Sequence, residues 1–85
     1  MNLRLLYFAR VREAIGLDGE KVEVPDTLIT VAEVLARLQT RGAGYAEAFA
    51  DTNQLRFSLD QQFVGVDAHV SDGAELGIFP PVTGG

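Results

Sequence analysis

An α+β fold, a small mixed sheet with one main helix packed across it, is predicted by three features of the 85-residue sequence. Four short segments carry the two-residue apolar alternation of strands. One stretch, from Thr30 to Leu38, carries a helical apolar stripe. The chain also has no cysteine and is 47% apolar, so packing between these two layers has to supply the stability that disulfides supply elsewhere. A chain of this length makes one domain, near the small end of what folds unaided.

The first strand covers Asn2 to Phe8. Leu3, Leu5 and Tyr7 alternate with Arg4, Leu6 and Phe8, so its second half is apolar on both faces and suits an interior position in the sheet. The period then changes: Val11, Ala14 and Ile15 predict a helix of about two turns over Ala9–Ile15, and Gly16 stands where a helix-ending glycine is expected. Asp18-Gly19 signals a turn into a second strand, Glu20 to Val24, with Val22 and Val24 inward and Lys21 and Glu23 outward; Pro25-Asp26 ends it.

Thr30-Val31-Ala32-Glu33 has the form of a capping box, with Ile29 and Val34 placed for a hydrophobic staple. Val31, Val34, Leu35 and Leu38 form the stripe of the main helix, Glu33 and Arg37 sit at the favourable i,i+4 spacing outside it, and Gly42 and Gly44 bound its end. One or two further helical turns are expected from Gly44 to Ala50, with Tyr45, Ala48 and Phe49 packing back on the body. Leu55, Phe57 and Leu59 make a third strand that is apolar on one face. Gln61 to Val64 reads as a turn and a short strand, Val70 to Gly73 as a loop, and Glu75 to Phe79 as the last strand. The domain is expected to occupy residues 1–79, leaving 80–85 as an extended, flexible C-terminal tail.

Composition excludes several classes of function. Seven basic against twelve acidic residues give a net charge of −5, spread along the chain, which opposes binding to nucleic acid and either helps steer the domain toward basic faces on protein partners or simply keeps a small protein soluble. No apolar run approaches the roughly 20 residues that cross a bilayer, and the start at Met1-Asn2-Leu3-Arg4 shows no leader pattern, so a cytoplasmic protein without membrane contact is expected. His69 stands alone, the spacing of Asp60, Asp67 and Asp72 matches no calcium loop, and Gly42-Ala43-Gly44 lacks the lysine of a phosphate loop. No metal and no cofactor is expected on this chain.

What remains is the C-terminus, Phe79-Pro80-Pro81-Val82-Thr83-Gly84-Gly85. Pro80-Pro81 cannot donate ladder hydrogen bonds, so the strand stops there and the chain is directed outward, with a reach of about 20 Å for six extended residues. Val82 and Thr83 favour extension. Gly84-Gly85 has no side chains, so a partner can close around the backbone and still reach the carboxylate. That carboxylate is a poor acyl donor until ATP converts it to an acyl-adenylate, which a sulfur nucleophile can then attack. None of these steps needs a side chain of this chain.

Over essentially its whole length the sequence resembles the small, sulfur-carrying subunits of molybdopterin synthase, a ubiquitin-like family. The resemblance rests on Leu5-Leu6-Tyr7-Phe8-Ala9-Arg10-Val11-Arg12-Glu13, on Asp72-Gly73-Ala74-Glu75-Leu76, and most specifically on Phe79-Pro80-Pro81-Val82-Thr83-Gly84-Gly85. It implies a β-grasp fold with the last strand parallel to the first at the sheet centre. It further implies that Gly85 is adenylated by an E1-like activating enzyme that consumes ATP. Gly85 then takes sulfur from a donor such as a cysteine desulfurase or rhodanese and becomes a thiocarboxylate. The tail, Pro80 to Gly84, would insert into the large catalytic subunit, which builds the dithiolene of molybdopterin within a heterotetramer. Phe79 and Phe63 would dock that subunit, although the residues alone leave both open between core and interface. Carriers serving thiamine, tRNA thiolation or sulfur amino acid synthesis, ubiquitin-like modifiers and plain binding modules share much of this pattern.

Overall fold

A computed structural model of the chain describes residues 1–81. The elements run β1 (Asn2–Tyr7), α1 (Ala9–Ile15), β2 (Gly19–Glu23), α2 (Val31–Gln39), α3 (Ala43–Ala48), a 3₁₀ turn (Thr52–Gln54), β3 (Arg56–Leu59), β4 (Gln62–Val64) and β5 (Glu75–Phe79). The five strands form one sheet in the order β2-β1-β5-β3-β4. β5 lies parallel to β1 and antiparallel to β3, so the last strand takes the centre of the sheet, as expected.

Each element follows from its sequence, with a few departures. β1 stops at Tyr7 because Phe8 becomes the N-cap of α1, in extended conformation. Gly16 closes α1 in the left-handed region, at φ 89°, and its N–H donates to the Arg12 carbonyl at 2.8 Å. At the start of α2 the Thr30 hydroxyl oxygen accepts from the Glu33 N–H at 3.3 Å. The reciprocal arm of the box differs from expectation: the Glu33 carboxylate accepts from the Thr30 hydroxyl at 3.1 Å rather than from its backbone. Ile29 stays 51% exposed while Val34 is fully buried, so the staple adds little burial. Val31, Val34, Leu35 and Leu38 are the buried residues of α2, as the stripe predicts.

The glycines after α2 do something other than end it. α2 finishes at Gln39 with Thr40 as C-cap, and Gly42 is the N-cap of α3. Gly44 lies inside α3, where a Cβ would come within 2.5 Å of the Ala14 carbonyl oxygen, so a missing side chain lets α3 approach α1. Asp60 and Gln61 link β3 to β4 with φ values of 48° and 72°, the paired positive angles that a two-residue hairpin turn requires.

The core lies between the sheet and α2. Leu3, Leu5 and Tyr7 of β1, Val22 of β2, Phe57 of β3, and Leu76 and Ile78 of β5 meet the α2 stripe, with Val11 and Phe49 closing the end. The three aspartates considered for calcium are separated: Asp72 accepts the Asn2 N–H at 2.6 Å and Asp60 accepts the Glu75 N–H at 3.0 Å, both holding the sheet in register. His69 forms an isolated antiparallel bridge with Thr30. Among the described residues no helix is long and apolar enough to cross a membrane.

Candidate functional site

Strand alternation gives the sheet a second face, opposite α2. By register it carries Lys21 and Gly19 of β2, Arg4 and Leu6 of β1, Glu75, Gly77 and Phe79 of β5, Arg56 and Ser58 of β3, and Phe63 of β4. Phe8 continues the β1 series at its end. No helix among the described residues covers this face. Phe63 is 78% exposed and Phe8 38% exposed, whereas an uncommitted small domain would bury rings of that size.

The aromatic rings form a strip. Phe8 and Phe79 are stacked, with centroids 4.5 Å apart and planes 9° apart, and Phe63 meets Phe79 at 5.9 Å with a tilt of 57°. Gly77 allows this. A Cβ there would stand 3.0 Å and 3.1 Å from two atoms of the Phe79 ring and 2.5 Å from the Ser58 hydroxyl, so the ring lies down over bare backbone. Pro80 follows directly and, with Arg56, Phe63 and Phe79, lines a shallow groove at the edge of the strip. The strip and the departing chain are therefore one continuous surface.

The other polar cluster is structural. Glu20 Oε2 accepts from the Tyr7 hydroxyl at 2.8 Å and from the Tyr45 hydroxyl at 2.6 Å, and Arg41 lies 3.7 Å from Glu20 Oε1. Burial first, and the facing Glu20 carboxylate second, push both phenols above their ordinary value. This network ties β1, β2 and α3 together. Its hydroxyls are held protonated and donating, which leaves neither as a base. Among the described residues no three metal-binding side chains converge. The arrangement offers an apolar docking surface beside the point where the chain leaves the sheet.

A family model for the ThiS family matches residues 5–85. The chain belongs to that family. The molybdopterin synthase sulfur carrier subunit of Escherichia coli is 35% identical over 83 residues, covering 98% of this chain and 99% of the relative. Among solved structures, a putative molybdopterin converting factor subunit 1 from Pyrococcus furiosus superposes with a TM-score of 0.76 at 26% identity, covering 96% of this chain and 99% of that one. A complex of subunits 1 and 2 of molybdopterin-converting factor from Helicobacter pylori gives 0.66 at 20% identity, with both chains fully covered, a likeness of fold. The β-grasp, ubiquitin-like architecture expected from the sequence is thereby established.

As a ThiS-family chain, the protein places its sequence-predicted site residues as follows. Phe79 sits partly buried at the end of β5 and Phe63 stands out on the edge strand β4, so neither is ordinary core. Pro80, which lines the groove with them, and Pro81 are both partly buried. Val82, Thr83, Gly84 and Gly85 lie outside the described residues. Phe8 was not foreseen as a site residue. Its signal was its parity with Leu6 rather than with Leu5 and Tyr7, which assigns it to the uncovered face.

Proposed function

We propose that this chain is the sulfur-carrier subunit of a molybdopterin synthase. The Gly85 carboxylate, the last position of the family match, is activated by an E1-like enzyme: it attacks the α-phosphate of ATP, releasing pyrophosphate and leaving an acyl-adenylate. The terminal sulfur of a persulfide carried by a cysteine desulfurase or rhodanese displaces AMP to give an acyl disulfide. A second thiol then cleaves the S–S bond, leaving Gly85 as a thiocarboxylate and the two protein sulfurs joined in a disulfide. Sulfur in that form is nucleophilic at neutral pH and can be passed to a cyclic pyranopterin precursor inside the large subunit to build the dithiolene. Catalytic side chains belong to the large subunit, and ATP to the activating enzyme; this chain carries no cofactor and works in the cytoplasm. The Phe8–Phe79–Phe63 strip is the docking surface, and Pro80 to Gly84 form the segment that enters the partner.

The observation that carries the proposal is the uncovered aromatic strip running without a break into Pro80. A carrier needs a partner-binding face beside its reactive end, so that binding energy positions the carboxylate in the partner's site. Incubation with ATP, the activating enzyme and a sulfur donor should exchange one oxygen for sulfur at Gly85, read as a mass change of the intact chain. Thiocarboxylated chain mixed with the large subunit and the pterin precursor should then yield molybdopterin. An unchanged mass defeats the carrier role, and sulfur delivered to tRNA instead of pterin moves the chain to a different pathway.

A further inference from the structure

The uncovered face has a part that the aromatic strip does not explain. Beside Phe8 a groove of about 520 Å³ opens over β1 and β2, and Arg4, Arg12 and Lys21 stand around it with Leu6 and Gly19 between them. Gly19 keeps it open at the lip, because a Cβ there would meet the Leu5 carbonyl oxygen at 2.8 Å and the Leu6 side chain at 3.3 Å. Three of the seven basic residues of a chain with net charge −5 thus surround one groove.

Their arrangement costs stability. Met1 and Val24 exchange both ladder hydrogen bonds, which by alternation puts the facing pair Arg4 and Lys21 at a position without them. There cross-strand side chains stand closest, and like charges directly opposite are unfavourable. Acids are near: Asp18 and Glu20 line the groove, and Glu75 is the neighbour of Arg4 on β5. Glu20 is committed to Tyr7, Tyr45 and Arg41. Among the described residues the ion pairs are Met1 with Asp26 and Arg41 with Glu20, so Arg4, Arg12 and Lys21 are left without an ionic partner. A lysine guarding an edge strand against unwanted pairing would account for Lys21. It would not account for Arg4, one strand further in, or for Arg12, which comes from α1.

We infer that this groove receives a carboxylate-bearing segment of the protein partner that covers the aromatic strip. The groove shares Phe8 with the strip, so one partner surface reaches both, with its apolar part over Phe8, Phe79 and Phe63 and its acidic part over the three cations. For the docking face this is the opposite of the basic partner surface that net charge offered as one of its two readings. The inference rests on the sulfur-carrier reading for the identity of the partner, the large subunit.

Titration of the full chain into the large subunit at low and high salt tests it. Lys21→Glu should weaken binding about tenfold at low ionic strength, and Arg37→Glu, the same charge change on the outer side of α2, less than about twofold. Raising salt to about 1 M should bring Lys21→Glu and the unaltered chain close together, because screening then acts within a few ångströms. Equal weakening by both variants, or by neither, overturns the inference while leaving the carrier reading intact. No binding by the unaltered chain overturns both. Should Lys21→Glu fail to fold, Lys21→Gln and Arg12→Gln, each expected to lose about threefold, decide in its place.

Discussion

The two faces of the sheet use similar residues for opposite ends. On the α2 side, Leu3, Leu5, Tyr7, Leu76 and Ile78 are all but inaccessible to solvent and fill the space beneath one helix. On the other side, Leu6, Phe8, Phe79 and Phe63 are equally apolar but lie uncovered, ringed by Arg4, Arg12, Lys21 and Arg56. A domain of this size has little apolar surface to spare. Three phenylalanines left out of the core, and like charges side by side, are what the proposed docking of a partner on that face accounts for. The inner face determines whether the chain folds, and the outer face determines what the folded chain meets.

The largest expected effect involves neither face. Deleting Gly85 should abolish sulfur delivery altogether, assayed as molybdopterin formed from the pterin precursor, with the thermal melt and large-subunit binding nearly unchanged. Loss of binding in the same variant would mean that the terminal residue, rather than the strip, holds the complex together.

Next in size is Leu5→Ala on the inner face. Leu5 is fully buried between β2 and β5 and under α2, so its truncation should cost about 2–5 kcal/mol in denaturant unfolding. That is a large share of the roughly 5–15 kcal/mol available to a small domain. Protein that remains folded should still bind the large subunit with near-normal affinity. Phe63→Ala is the counterpart on the outer face: about tenfold to a hundredfold weaker binding by titration, with unfolding free energy within about 0.5 kcal/mol of the parent. A stability loss comparable to that of Leu5→Ala would erase the distinction between the faces.

Much of this was legible in the sequence, for reasons that differ by element. The α2 stripe and the Gly16 cap were readable because periodicity and a left-handed cap are local properties of the chain. The central position of β5 followed from resemblance, since nothing in Glu75–Phe79 alone specifies a parallel neighbour 71 residues away. Gly44 carries the local signal of a helix boundary, while its role is a close contact with Ala14, which no local pattern contains. Phe8 is hard to read for a related reason: a residue apolar on the second face of a strand looks like core until the helices are placed. The cationic groove was hidden by averaging. Net charge sums over the surface, whereas Arg4, Arg12 and Lys21 come together only through strand register and the return of α1.

The smallest expected effect tests whether the faces are independent, using the Tyr7–Glu20–Tyr45 cluster on the inner side. Both phenols are pushed up by burial and by the shared carboxylate. Below about pH 10, the ordinary value for tyrosine, folded and unfolded chains hold these protons alike and the stability is fully present. Above it the unfolded chain releases protons that the folded chain retains, so stability falls as pH rises. The Met1 ammonium, pushed up chiefly by its hydrogen bond to Asp26, begins a shallower decline above about pH 8 by the same rule. Tyr7→Phe should remove the Tyr7 contribution from the fall of unfolding free energy with rising pH above about 10, leaving that of Tyr45. The limb that begins near pH 8 should stay in place, because Met1 and Asp26 are untouched. Glu20 would keep Tyr45 and Arg41 as partners, so β2 and α3 remain joined and Lys21 keeps its place in the groove. Large-subunit affinity at neutral pH should then match the parent. A tenfold loss would show that the cluster under β2 sets the geometry of the cationic groove above it, and that the two faces are coupled through the strand they share.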